Sequence, residues 1–457
     1  MIQFKRRSED LFSTEPVLFS RRGLWKLIFP LMIEQTLTAL MGVADTLMVS
    51  AVGEASISGV TCVDQVNSLI LFVFESFSVG GGVLCAQYVG RRDRDAVRCV
   101  VRQLMTLVPV VAVAVTALCA AFASPLLKLL YASMEADVFA EALIYFRITL
   151  LSCPFLALYT AGAALYRACG EPKLPVAVIG VGNVLNIIGN AILIFGFHMG
   201  AEGAAWSTLF SRVFSCAALL ILQARPGSDI SLQGIGGVRL SRRETLRIVK
   251  IGLPTALENG MFQLGKVLMQ AIVVTLGTSV IAAQSMLTQF ETLSSRPSMA
   301  VRVALLTVAG QYIGAGRPDL ARRFTDYFMD LARICCLLTG LLCLAITRPL
   351  CSLTALTPEA TDMVFEVMAF LAVVKVILWP PSFMLMYTLK AAGDVKVPMW
   401  ISIGSMWIFR VGGALILPRV FHLGLWGVWL AWVCDWIVRS ILYTSRYRQG
   451  KWEKIRL

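Results

Sequence analysis

Four carboxylates lie within the first two apolar segments of the chain, where an ionised group is costly. Glu34 and Asp45 lie in the first segment, and Asp64 and Glu75 lie in the second; the members of each pair are eleven residues apart. On a helix of about 3.6 residues per turn, this spacing places both members on nearly one face and roughly 16 Å apart. We therefore predict two acidic levels that face one cavity and hold exchangeable cations.

The physical basis is the cost of placing charge in a membrane, about 2.5 to 3.5 kcal/mol for an ionised side chain at the centre of a helix. Burial favours the protonated form of a carboxyl group, so a buried acid can take up a proton on one side and release it on the other. The alternative is a structural role in capping or bridging helices. That alternative is strongest for Glu34 and Glu258, since each follows a proline by about one turn.

The elements that position these acids are predicted to be membrane-spanning helices. The chain has 457 residues, of which 57% are hydrophobic and only 15% are charged, as in an all-α polytopic membrane protein. Breaks at glycine, proline and charge clusters predict twelve spans. The predicted spans are residues 25–49, 56–89, 98–123, 138–166, 174–197, 203–224, 245–275, 279–313, 320–346, 361–389, 397–418 and 424–445.

The net charge of +13 comes from basic clusters at every second connection, such as residues 90–95 and 316–323. This distribution predicts cytoplasmic termini in a plasma (inner) membrane protein and argues against nucleic-acid binding. The twelve cysteines are scattered and show no metal-binding or disulfide pattern. The predicted parts are a cytoplasmic segment (1–24), an N-lobe (25–224), a cytoplasmic linker (225–243), a C-lobe (244–445) and a cytoplasmic tail (446–457).

The two predicted lobes repeat one another. Pro30 followed by Glu34 matches Pro254 followed by Glu258, with an offset of 224 residues, and "AQYVG" at 86–90 matches "GQYIG" at 310–314. A six-span repeat of one topology predicts a pseudo-two-fold axis along the membrane normal and a cavity between the lobes. This architecture suits a transporter better than a static pore.

The span directions place five polar residues at one depth, in the outer half of the N-lobe. They are Asp45, Asp64, Asn186, Asn190 and Thr208. The repeat gives Met269, Thr288 and Met299 at the positions that match Asp45, Asp64 and Glu75, so we expect cation coupling in the N-lobe alone. The asparagines have a simpler alternative role as interhelical hydrogen bonders.

The C-lobe instead mixes acids with many bases. Its intramembrane charges include Glu258, Glu291, Lys266, Arg296, Arg302, Lys375 and Arg410. They form internal ion pairs or bind an anionic part of a substrate, and pairing is the commoner solution inside helix bundles. The predicted lining of the substrate cavity is Glu34, Gln35, Glu75, Glu258, Met261, Phe262, Lys266 and Glu291. Methionine and aromatic residues suit a promiscuous pocket, although they more often serve as packing.

Four motifs then point to a known family. They are "PLMIEQTLTALMGVADTLMVSAVG" in span one, "AQYVGRRD" after span two, "LNIIGNAILIFG" in span five and "LPTALENGMFQLGK" in span seven. With these motifs, the repeat and the span count, the chain resembles the multidrug and toxic compound extrusion (MATE) family from about Arg21 onwards. The resemblance implies export of amphipathic, often cationic, compounds by alternating access, in exchange for protons or sodium ions.

The resemblance also assigns roles to single residues. The motif "GVADT" implies that Asp45 is the proton or sodium site, with Asn186, Asn190 and Thr208 beside it. Asn190 departs from the family pattern, in which an acid is common, so the site has lost one formal charge. No cofactor other than the coupling ion is expected, and the transporter is expected to be a monomer.

The sequence leaves three functions open. The first is a cation-coupled antiporter, which agrees with the repeat, the acidic N-lobe and the lack of a nucleotide-binding motif. The second is a flippase for a lipid-linked anionic saccharide, favoured by the C-lobe bases but opposed by the count of twelve spans, since the peptidoglycan lipid flippases carry two more. The third is a lipid-modifying enzyme, for which the sequence offers no catalytic constellation.

Overall fold

Helices make up nearly all of the structure, a computed structural model that describes residues 18–131, 135–225, 230–231, 241–352 and 357–455. The first half contains α1 Arg21–Ser50, α2 Glu54–Arg91, α3 Arg94–Ala121, α4 Ala123–Leu130, α5 Ala136–Ala168, α6 Lys173–Asn190 and α7 Gly200–Gln223. The second half contains α8 Arg242–Val274, α9 Thr278–Gly314, α10 Pro318–Ser352, α11 Pro358–Ala391, α12 Lys396–Ser405, α13 Gly412–Val420 and α14 Gly424–Arg448.

Each of the twelve predicted spans coincides with a helix or with a continuous helical stretch. Helix α6 continues through a π-helical turn, Ala191–Gly196, and α12 continues through another, Met406–Val411, into α13. Ten of these stretches are long and apolar enough to cross a membrane by themselves. The other two, α8 and α9, carry five of the seven predicted C-lobe charges. The short helix α4 was not predicted as a separate element.

The predicted repeat is also present in the backbone. Positive φ angles recur at an offset of 223 or 224 residues in five pairs, which are Gly53 with Gly277, Arg92 with Gly316, Gly170 with Gly393, His198 with His422 and Gly200 with Gly424. The histidines are the most informative pair, because a positive φ is uncommon for a residue other than glycine. Their φ angles are 54° and 53°, so the two halves turn in the same way between equivalent helices.

The chain folds into two compact units. The N-unit comprises residues 29–256, and the C-unit comprises residues 257–457 together with residues 1–28. The divisions therefore fall inside α1 and α8, close to Pro30 and Pro254. Most of the predicted linker, residues 225–243, and the start of the predicted N-terminal segment lie outside the described residues.

The last described residues pack against the C-unit. Trp452, in a 3₁₀ turn at Lys451–Lys454, is fully buried and stacks on Tyr447 with ring centroids 5.3 Å apart. Glu453 forms an ion pair with Arg322 at the start of α10. These contacts attach the predicted tail to the helical unit.

Glycines allow α2 and the start of α8 to approach closely within the N-unit. A Cβ atom at Gly80 would lie 2.8 Å from the carbonyl oxygen of Ile248 and 3.1 Å from the backbone nitrogen of Gly252. A methyl group there would force the two backbones apart. The "GGG" run at 80–82 is therefore a packing surface.

Gly80→Ala is expected to lower the free energy of unfolding by about 1 to 3 kcal/mol, the usual cost of overpacking a close contact. Thermal unfolding of the purified protein in detergent measures this loss. Gly404→Ala is the matched control, because no atom lies within 4 Å of a Cβ built at that position. Equal melting temperatures for the two variants would show that the close approach is not required.

Candidate functional site

Asp45 on α1 is bonded to the two asparagines of α6. The Asn190 side-chain nitrogen donates to Asp45 Oδ1 at 2.6 Å. In the orientation that satisfies its surroundings, the Asn186 amide donates to the same oxygen at 2.8 Å and accepts from the Thr208 backbone nitrogen at 3.3 Å. The asparagines are fully buried and four residues apart, on one helix face. The structure thus brings together four of the five residues predicted for coupling.

The local fold explains this arrangement. Gly189 allows α6 to lie close to Ser207 of α7, and the Ser207 hydroxyl donates to the Asn186 backbone carbonyl at 2.7 Å. The π-helical turn begins directly after Asn190, and such turns are frequent at functional sites. The side-chain oxygen of Asn190 is buried without a hydrogen-bond partner in the described part of the chain. An unpaired oxygen beside a carboxylate suits a hard cation, which prefers oxygen ligands.

Asp64 on α2, the fifth predicted residue, lies near this group and is exposed. It accepts a hydrogen bond from the Tyr145 hydroxyl of α5 at 3.3 Å and interacts electrostatically with Asp45. Arg212 of α7 interacts electrostatically with both acids and donates to Ser152 at 2.6 Å. When all three groups are ionised, two carboxylates face one guanidinium. We call Asp45, Asp64, Asn186, Asn190 and Arg212 the acidic cluster, whose net charge is then −1.

Sequence reasoning missed Arg212 and Tyr145. A signal was present for Arg212, because it is the one charged residue between Glu202 and Arg225, and an intramembrane arginine calls for a partner. Tyr145 offered no comparable signal, since tyrosine is common in membrane helices.

The acids of the predicted lower level are arranged differently. Glu34 accepts a hydrogen bond from Arg167 of α5 at 3.2 Å, which supports its structural alternative. Gln35 is half-buried and Glu75 is exposed. An apolar groove of about 710 Å³ lies between α1 and α6, and its lining includes Lys173 but not Glu34. The structure does not add Glu34 to the acidic cluster.

In the C-unit, two predicted acids are held in ion pairs. Glu258 on α8 lies 2.8 Å from the Lys390 ammonium and accepts a hydrogen bond from the Ser402 hydroxyl at 2.8 Å. Glu291 on α9 lies 3.3 Å from the Lys375 ammonium and accepts from Ser295 at 2.7 Å.

A third buried acid, Asp435 on α14, was not predicted. Arg410 forms an ion pair with one of its oxygens, and Arg439 donates to the other at 2.8 Å. Phe262 is half-buried on α8, and three cations lie close to its ring. The distances to the ring centroid are 5.3 Å from Arg410, 5.4 Å from Arg439 and 5.4 Å from Lys266. The spacing of Asp435 and Arg439, four residues apart within an apolar span, was the signal that could have revealed this group.

The chain is similar to known transporters over almost its full length. The MatE family model matches residues 30–192 and again residues 254–416. The probable multidrug resistance protein NorM of Thermotoga maritima is 27% identical over 95% of this chain and 93% of its own. The uncharacterized transporter YisQ of Bacillus subtilis is 25% identical over 94% of each chain. A solved structure described as MATE in the bent conformation superposes with a TM-score of 0.87 at 20% identity, covering 98% of both chains.

These matches define a membrane transporter with an all-α, twelve-span, two-lobe fold, as predicted. The chain belongs to the MatE family, because the family model covers both halves. The predicted resemblance is therefore confirmed, and membership places the protein among transporters and not among enzymes.

Proposed function

We propose that this protein is a secondary active antiporter of the plasma membrane that exports amphipathic organic compounds in exchange for protons or sodium ions. The observation that carries the proposal is the acidic cluster of the N-unit, with its net charge of −1 and the unpaired oxygen of Asn190. A group of this charge within a membrane-spanning bundle requires a proton or a cation. Relatives named as a probable multidrug resistance protein and a multidrug export protein support the substrate class.

Asp45 is the residue we assign to coupling. The amides of Asn186 and Asn190 hold its carboxylate where α1 meets α6, and Arg212 neutralises one of the two acidic charges. Uptake of a proton or sodium ion neutralises the remaining charge and changes the bonding between the two helices. If this change favours one transport conformation, ion and substrate affinities are coupled reciprocally, which is the requirement for exchange by alternating access.

Sodium binding would use the oxygens of this same group. The Asp45 carboxylate and the side-chain oxygen of Asn190 are suitable donors, and the Thr208 hydroxyl lies 3.3 Å from the Asn186 amide. A proton would need the Asp45 carboxylate alone. We propose no other cofactor, and we retain cytoplasmic termini and a monomeric transporter as parts of the proposal.

Purified protein in liposomes, loaded with a cationic dye, tests the proposal. A proton gradient and a sodium gradient are imposed separately, and we expect one of them to drive dye export against its concentration gradient. The gradient that does so identifies the coupling ion. Collapse of that gradient with the matching ionophore must stop export.

The second candidate function is a flippase for a lipid-linked anionic saccharide, which the excess of bases in the C-unit favours. The same liposome experiment distinguishes the flippase from the antiporter. If neither gradient moves the dye although the protein is folded and inserted, the antiporter proposal fails and translocation of an anionic lipid becomes the function to measure.

A further inference from the structure

The intramembrane charges of one cluster in the C-unit do not balance. The connected cluster contains the three acids described above, Glu258, Glu291 and Asp435. It contains the six bases Lys266, Arg296, Lys375, Lys390, Arg410 and Arg439. When all are ionised, the cluster has an excess of three positive charges. Unpaired charge is costly inside a membrane protein, so the excess requires an explanation.

The three acids form ion pairs with four of the six bases. Lys375 is saturated, because its ammonium has three donors and reaches Ser294 at 2.6 Å, Ser295 at 2.7 Å and Glu291 at 3.3 Å. Lys390 is held by Glu258. No acid among the described residues is left over for further pairing in this cluster.

Two bases of this cluster therefore lack an ion pair in the described part of the chain, Lys266 in the second half of α8 and Arg296 at the middle of α9. Lys266 is exposed, and the centroid of the Phe262 ring lies 5.4 Å from its ammonium. Arg296 is half-buried, and its Nε is buried without an acceptor. The two bases interact electrostatically with each other and with Glu291, whose carboxylate already binds Lys375.

We propose that Lys266 and Arg296 bind an oxyanion, a carboxylate or phosphate group, on the transported compound. A guanidinium and an ammonium supply the donors that such groups prefer. Phe262, beside Lys266, gives the same place an aromatic surface for the apolar part of an amphipathic ligand. The substrate class is thus widened from cations to zwitterions and amphipathic anions. This inference rests on the proposed transport function but not on the choice of coupling ion.

The test is equilibrium binding of rhodamine B, an amphipathic dye with a free carboxylate, compared with its ethyl ester. The protein is placed in phosphatidylcholine nanodiscs, and binding is followed by fluorescence anisotropy. Wild type should bind the acid more tightly than the ester. Replacing both bases, Lys266→Gln with Arg296→Gln, should weaken binding of the acid by about tenfold to a hundredfold and leave the ester unchanged.

Two controls keep the result interpretable. The exchanged variant, Lys266→Arg with Arg296→Lys, retains both charges and should retain the preference for the acid. Arg348→Gln removes a base from an exposed pair with Asp362 and should change neither affinity. Equal binding of acid and ester by wild type, or equal losses for both dyes in the double glutamine variant, would overturn the proposal.

A further binding experiment shows whether the anion belongs to a lipid headgroup or to a soluble compound. In nanodiscs that also contain phosphatidylglycerol, weaker dye binding by wild type but not by the double glutamine variant would show that a lipid headgroup uses the site. Unchanged binding would assign the site to a soluble compound. The binding assay needs no ion gradient, so Asp45→Asn should preserve the preference for the acid. Failure of the coupling proposal would be observed only in the gradient-driven export assay.

Discussion

Asp45→Asn is expected to abolish gradient-driven export and leave the protein folded. The amide side chain has nearly the shape of the carboxylate, so the contacts with Asn186 and Asn190 are altered without opening a cavity. The acidic cluster loses its net negative charge, however, because Asp64 and Arg212 then balance one another. Without that charge, neither a proton nor a sodium ion is required. Dye export from liposomes under the driving gradient should fall to the passive leak.

The matched control is Met269→Ala, at the position of the second half that corresponds to Asp45. Met269 is buried on α8, so this substitution is expected to lower stability. It should nevertheless leave the dependence of export on the gradient intact in the folded fraction. Normal gradient-driven export by Asp45→Asn would contradict the coupling assignment, and loss of coupling in Met269→Ala would contradict its restriction to the N-unit.

The fold could be predicted because its main determinants are local or repeated. Apolar length identifies a membrane helix, and the offset of 224 residues recurs in positions as different as Pro30 with Pro254 and His198 with His422. The asparagines could be placed together for a similar reason, since residues four apart share a helix face. Short helix α4 lacked such a signal, because eight residues are too few for a periodic pattern to be distinctive.

The pairing of charges could not be predicted, because it depends on how each helix is rotated about its axis. Glu291 pairs with Lys375, 84 residues later, and not with Lys266, although both bases were identified from the sequence. Glu34 similarly pairs with Arg167, 133 residues away. An intramembrane charge can thus be recognised from the sequence, whereas the distinction between a paired ion and one available to a ligand requires the structure.

The two units differ in which charges are paired and which remain available to a ligand. The acidic cluster of the N-unit has a net charge of −1 and includes an amide oxygen without a partner among the described residues. In the charged cluster of the C-unit, the three acids are already paired with bases, and Lys266 and Arg296 have no ion pair among the described residues. We infer that the N-unit holds the coupling cation and that the C-unit contributes to ligand selection.

Asp435→Asn is expected to produce the largest loss of stability in the C-unit. The Asp435 side chain is fully buried. It forms ion pairs with Arg410 and Arg439 and accepts a hydrogen bond from the Ser405 hydroxyl. An amide retains the shape of the carboxyl group but leaves two buried guanidinium groups without a counter-ion. Removing one partner of a buried ion pair typically costs about 3 to 5 kcal/mol. Thermal unfolding in detergent should show a large decrease in melting temperature.

Asp362→Asn is the control that shows how much of the stability loss depends on burial of the ion pair. Asp362 also pairs with an arginine, Arg348, but both side chains are mostly exposed, at 66% and 63%. Exposed pairs contribute about 0 to 1 kcal/mol, so this variant should unfold close to wild type. Similar melting temperatures for Asp435→Asn and Asp362→Asn would show that Arg410 and Arg439 do not depend on the carboxylate. In that case the C-unit tolerates unpaired cations, and the excess charge would no longer argue for an anionic ligand.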